Sequence, residues 1–257
     1  MDRPATEPVD GDGHRFGETR IAHAQPARQS HDRRCRHETL VRHATVAPDP
    51  ATPIVVSFQQ GVNGYVGGVD VSITTQSRAA WNGQNGNLFR TAQVYVQDTS
   101  GVTNGFIGKG LVRFNQLGLP TGAVVTNAAL TLTFATYSPS YTAVGRYLLA
   151  SWDPAAPQYK LGWVNRDATH LWAVQGAGGE GSDLVAGKSF TVATATTGAN
   201  QVRTVNLDTA VVQSWVTSPS NDQGVILTTS PGLSAQFSGA TDPTVSKRPK
   251  LVITYHL

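Results

Sequence analysis

The sequence predicts an all-β domain: an antiparallel β-sandwich of jelly-roll type with one short helix. Three observations lead to this prediction. From Ile54 onward, short runs alternate apolar and polar residues, glycine or proline turns separate those runs, and good helix formers such as glutamate are scarce. Period-two alternation at this density is typical of antiparallel sheets with one buried face, and many short strands separated by turns are typical of sandwiches.

Ten strands are predicted, and the one at residues 127–136 shows the pattern most plainly. There Leu130, Leu132 and Phe134 alternate with Thr131 and Thr133, so one face is apolar and the other polar. The full set of predicted strands is 54–60, 92–98, 110–117, 127–136, 145–152, 189–195, 201–207, 224–230, 234–239 and 249–257.

A single helix is predicted at residues 207–216, with Asp208 as its N-cap and Trp215 on its buried face. Trp152 is likewise predicted to lie in the core because it continues a strand. Arg113 shares a strand face with Leu111, so we expect it to be partly buried and to need a carboxylate or several carbonyls.

Composition divides the chain into two parts. Residues 1–53 lack apolar periodicity and are rich in arginine and histidine, so they are predicted to be a disordered N-terminal segment. Residues 54–257 are predicted to form one β-sandwich domain. With one cysteine in the whole chain, the fold cannot rely on an internal disulfide.

Charge and hydropathy exclude some partners. The formal net charge is +3 and no basic stripe with interleaved aromatic residues occurs, so nucleic acid is not expected as a partner. No apolar run reaches the roughly 20 residues that span a bilayer, so membrane insertion is not expected either. No signal-peptide pattern is recognisable, but the composition of the body is that of extracellular β domains and predicts a secreted or cell-surface location.

The candidate binding residues concentrate between residues 162 and 184. Sugar rings stack their apolar faces on aromatic rings, and arginine matches a uronate carboxylate with two parallel hydrogen bonds. The predicted ligand-binding residues are Trp163, Asn165, Arg166, His170 and Trp172, together with Tyr137, Tyr141 and Trp81 from two other turns. The alternative for Trp163 and Trp172 is that they anchor the loop onto the sandwich.

Calcium is the metal that the sequence favours, as a structural ion in the loops. Glu180 and Asp183 lie in a glycine-rich loop, and Asp70 and Asp242 lie near strand ends. The alternative for each of these acids is an ordinary turn residue.

Three segments together resemble the DNRLRE family, the disaggregatase-related repeat domains. They are the strand and turn "GLVRFNQLGLPTGAVVTNAALTL", the helix, turn and strand "VVQSWVTSPSNDQGVIL", and the closing "FSGATDPTVSKRPKLVITY". The resemblance covers about residues 54–257, with Asn115 where an aspartate is usual. It implies a jelly-roll sandwich on secreted proteins that binds carbohydrate, acidic polysaccharide included.

The sequence therefore leads to a non-catalytic, secreted or surface carbohydrate-binding module, with (acidic) polysaccharide as the expected partner. Two alternatives stay open. One is a structural or adhesive jelly-roll subunit that self-associates or attaches to a larger surface protein. The other is a polysaccharide lyase or hydrolase, although no recognisable pair of carboxylates and no GxSxG motif occurs in the sequence.

Overall fold

The computed structural model describes residues 52–75, 88–89, 91–103, 105–137, 140–156, 160–193 and 200–257. The described residues from 52 onward belong to one compact unit. The predicted disordered segment 1–53 falls almost wholly outside these ranges. None of the helices in the described residues is long and apolar enough to cross a membrane.

The all-β prediction is confirmed, because the described residues form an antiparallel, curled sheet of sandwich type with one short α-helix. The strands are β1 Ile54–Gln59, β2 Gly68–Thr74, β3 Leu88–Phe89, β4 Gln93–Asp98, β5 Ile107–Phe114, β6 Val124–Tyr137, β7 Thr142–Leu148, β8 Leu184–Ala193, β9 Gln201–Asn206, β10 Val225–Thr229, β11 Ser234–Ser238 and β12 Lys250–His256, and the helix is α1 Thr209–Thr217.

The strands follow the order β1-β12-β6-β11-β4-β5-β10-β7-β8, with β9 on β6, β2 on β5 and β3 on β2. Side chains alternate between the two faces along each strand, so one set points into the space between the two halves of the curled sheet. Leu130, Leu132 and Phe134 of β6 are each 1% exposed and pack in this main core with Phe237 and Ile253. The alternating pattern read from the sequence thus predicts the core face correctly.

Helix α1 closes the main core. Asp208 caps it, accepting hydrogen bonds from the amides of Ala210 and Val211, as predicted. Trp215 is buried beside Tyr147, with ring centroids 6.1 Å apart, which confirms its assignment to the core.

A second core lies on the opposite face of β2, β5, β7 and β10. Ile73, Leu111 and Ile226 point away from the main core, yet each is at most 1% exposed. The long connection between β7 and β8 covers them. We call residues 149–156 and 160–184 the cap segment, and its apolar residues complete this outer core.

Candidate functional site

The cap segment carries most of the predicted site residues, and two tryptophans hold it to the sheet. Trp152 and Trp172 are each 4% exposed and pack in the outer core. Trp172 also donates its indole N–H to the carbonyl of Gly162, 2.9 Å away. Of the two sequence interpretations for Trp172, the anchor is correct, because a buried ring cannot stack on a sugar.

Asp183 organises the backbone of the cap segment. Its carboxylate is 1% exposed and accepts hydrogen bonds from the amides of Ala173, Val174 and Gly179 at 2.8, 2.9 and 2.9 Å. Three amide donors satisfy a buried carboxylate without a metal ion. Asp183 therefore has the role of a loop organiser, which the calcium prediction overlooked.

The other predicted calcium ligands are dispersed. Glu180 forms an ion pair with Arg146 and accepts from the amide of Gly187 at 2.6 Å. Asp70 accepts from the amide of Ala240, and Asp242 caps the turn that follows β11. Within the part of the chain that the structure describes, no three His, Cys, Asp or Glu side chains come together as a metal site. Calcium stays a prediction without a defined set of ligands.

A short hairpin between residues 162 and 172 forms the exposed part of the cap segment. Asn165 and Leu171 face each other in a β-bridge, and the amide of Arg166 donates to the carbonyl of His170 at 3.0 Å. Arg166 and His170 therefore stand opposite each other across the hairpin. The structure thus brings three predicted binding residues, Asn165, Arg166 and His170, onto one small element.

Asp167 fixes the tip of this hairpin, a role that the sequence analysis missed. It accepts from the amides of Thr169 and His170, both at 2.8 Å, and lies 2.9 Å from Nδ1 of His170. Hydrogen bonds from these donors hold the pKa of Asp167 well below its usual range, and the bond from the Thr169 amide contributes most. An aspartate often accepts a hydrogen bond from the amide two residues further on, and this arrangement marks a turn. The motif DAT at residues 167–169 could therefore have revealed the role of Asp167.

One terminal nitrogen of the Arg166 guanidinium is hydrogen-bonded within the cap segment, and the rest of the group can bind a ligand. One terminal nitrogen donates to the carbonyl and the hydroxyl oxygen of Ser151, at 2.8 and 2.7 Å. Among the described residues no carboxylate lies within 4.0 Å of its guanidinium. The group is therefore a positioned cation without an acidic partner inside the described chain.

His170 adds a second polar group, with a side chain that is 60% exposed. Its Nδ1 is engaged with Asp167, so Nε2 is the ring nitrogen that can bond a ligand. Leu171, the next residue along the chain, is 63% exposed and gives the hairpin an apolar side chain on its surface.

Trp163 belongs to the hairpin, is half-buried and packs against the outer core. The ammonium of Lys109 sits 5.0 Å from the ring centroid and donates to the carbonyl of Gly176 at 2.8 Å. Burial lowers the pKa of Lys109, and the charge of Asp183 opposes that shift. Gly176 packs against the indole so closely that a Cβ there would lie 2.7 Å from it. The contacts with Lys109 and Gly176 fit the anchoring interpretation of Trp163, and its ligand-binding role stays a prediction.

The remaining predicted aromatic residues do not join this site. Tyr141 is 0% exposed, packs on Phe134 in the main core and donates its hydroxyl to the carbonyl of Val96, so its predicted ligand role does not fit its position. Tyr137 ends β6, and its side chain is outside the described part. Trp81 lies outside the described residues altogether.

Arg113 is partly buried and structurally paired, as predicted. It stacks on Trp152, 4.7 Å from the ring centroid, and donates to the carbonyl of Trp152 and the side-chain oxygen of Gln223. Asp222, which the sequence analysis did not single out, is 5% exposed nearby; burial raises its pKa to about 7, and the charge of Arg113 opposes that rise. The position of Asp222 among apolar residues depends on tertiary packing, which no local motif signals.

No protein-family model matches the chain, and no curated protein matches it at significant similarity. The resemblance to the DNRLRE domains therefore stays a prediction from its three motifs. The functional argument depends on the geometry of the cap segment.

Proposed function

We propose that this domain is a non-catalytic binding module for acidic polysaccharide, located outside the cell or on its surface, and that the hairpin of the cap segment receives the polymer. The observation that supports this proposal best is the guanidinium of Arg166. It is oriented by two hydrogen bonds to Ser151 and has no carboxylate partner among the described residues.

A uronate residue of the polymer would supply the carboxylate partner that Arg166 lacks among the described residues. Its carboxylate can accept two parallel hydrogen bonds from Arg166, and its hydroxyls can bond Asn165 and Nε2 of His170. The exposed side chain of Leu171 offers an apolar contact for the CH face of the ring. Preorganisation by Asp167 and Asp183 lowers the entropy lost when the ligand binds.

The test is binding of polygalacturonate to the full chain, followed by calorimetry with and without EDTA. Arg166→Met removes two charge-assisted bonds, each contributing about 1.5–3 kcal/mol, so it should weaken binding by roughly a hundredfold or more. Arg203→Met is the matched control, because Arg203 also donates to backbone carbonyls and lies on β9, away from the cap segment.

Three results contradict or redirect this proposal. Equal weakening by both variants indicates a general charge effect, and equal binding of neutral dextran removes the role of the carboxylate. Shortening of the polymer during the titration favours the lyase or hydrolase alternative. Loss of binding in EDTA, restored by calcium, would support the predicted ion.

A further inference from the structure

Among the residues that the structure describes, strand β1 forms an open edge of the sheet, and this observation is independent of the cap segment. Within the described residues β1 pairs on one side, with β12. An edge strand presents a row of backbone N–H and C=O groups that can pair with another strand. Proteins usually protect such edges with charged residues, especially lysine, or with proline.

The other long edge strands in the described residues contain a charged residue, and β1 does not. Strand β8 contains Lys188 and strand β9 contains Arg203. Strand β1 reads IVVSFQ, with no charged residue and with Pro53 placed just before its first residue, and its Val55 is 63% exposed. Its β-branched, uncharged composition favours strand pairing.

A groove of about 350 Å³ runs beside this edge. Phe58, Tyr65, Leu117 and Tyr255 are among the residues that line it, and none of its lining residues is charged. A strand added to β1 could place alternate side chains in this groove while its backbone continues the sheet.

We propose that β1 is a self-association surface on which a second copy of this chain adds its own β1, antiparallel, about a twofold axis. The absence of charge from the strand and from the groove gives a charged partner nothing to pair with. An antiparallel pair of identical edges is self-complementary, so both exposed edges are satisfied by one contact. The pairing joins two sheets into one and goes beyond the proposed polysaccharide binding.

The test is the mass of the full chain in solution, measured by light scattering across a range of concentrations, with Val55→Lys as the disrupting variant. Wild-type protein is expected to reach twice its 27.3 kDa as concentration rises, and Val55→Lys to remain a monomer. Val202→Lys is the matched control, because Val202 is a 55% exposed valine on the edge strand β9, and it should dimerise like the wild type.

Hydrogen exchange gives a second readout that needs no variant: the β1 amides should become more protected as the wild-type concentration rises. A single 27.3 kDa species at every concentration would overturn the proposal. So would a dimer that both lysine variants weaken equally, or one whose formation leaves exchange at β1 unchanged.

Discussion

The carboxylate of Asp183 stabilises the cap segment, and replacing it by asparagine tests that role. In the wild type, one carboxylate oxygen accepts a hydrogen bond from the amide of Ala173 at 2.8 Å. The other oxygen accepts from the amides of Val174 and Gly179, each at 2.9 Å. Asparagine keeps one acceptor oxygen and puts an N–H₂ group where the second oxygen stood. At best two of the amides keep their acceptor, and the third meets another donor.

The cost follows from these contacts. A hydrogen bond to a charged group contributes about 1.5–3 kcal/mol, and a buried donor left unpaired costs a comparable amount. We therefore expect Asp183→Asn to lower the free energy of unfolding by roughly 2–4 kcal/mol. The loss should be local first, because Asp183 also accepts the amides of Leu149 and Ala150 through its carbonyl and so ties both ends of the cap segment.

Urea unfolding followed by tryptophan fluorescence measures this change, since Trp152, Trp163 and Trp172 all lie in the cap segment. Asp153→Asn is the matched control: Asp153 is exposed and its carboxylate accepts one amide, that of Ala155 at 2.8 Å, so its replacement should cost less than about 1 kcal/mol. If Asp183→Asn unfolds within about 0.5 kcal/mol of the wild type, the three amides do not depend on the carboxylate and the reasoning is wrong.

Three further predictions concern other sites. Burial raises the pKa of Asp222 to about 7, above its unfolded value of 3.8; the stability from this group is therefore complete below about pH 3.8 and is lost as the pH rises through about 7. Asp222→Asn should therefore raise the free energy of unfolding at pH 8 by roughly 2–4 kcal/mol and flatten its pH dependence, and an unchanged slope between pH 5 and 8 would contradict this. Gly176→Ala should lower the melting temperature and expose Trp163 to fluorescence quenchers, because Gly176 has φ +72° and its added Cβ would lie 2.7 Å from that ring; unchanged quenching would show that the hairpin tolerates the methyl group. Asp208→Ala should cost about 1 kcal/mol in thermal unfolding through loss of the two capping bonds of α1, and Asp208→Ser should restore most of it if capping is the cause.

Much of the fold could be predicted because its main core obeys local periodicity. Strand β6 and helix α1 are recognised from residues such as Leu130 and Trp215, whose spacing alone indicates a buried face. Strand β2 was not singled out as an element. Its Val71 faces the outer core and its Ser72 accepts the amide of Tyr95, so both faces are buried and the contrast that marks a half-exposed strand is weak.

The site could be predicted in part. The sequence places Arg166 and His170 in one loop, but it does not show that the cap segment covers a second core, because that requires Ile73, Leu111 and Ile226 from three distant strands. Long-range packing in the main core likewise buries Tyr141, although its local sequence is typical of an exposed turn. Asp183 looks like a metal ligand in the sequence because its three amide partners are set by the folded backbone.

The most direct test of polysaccharide binding at the hairpin is an NMR titration that observes the arginine Nε–Hε resonances while a short oligogalacturonate is added. The proposed function predicts that the Arg166 resonance shifts and saturates with the ligand, together with the backbone amides of the hairpin, while the Arg203 resonance does not move. Saturable binding that leaves Arg166 and the hairpin unperturbed would contradict it and place the polymer on another surface.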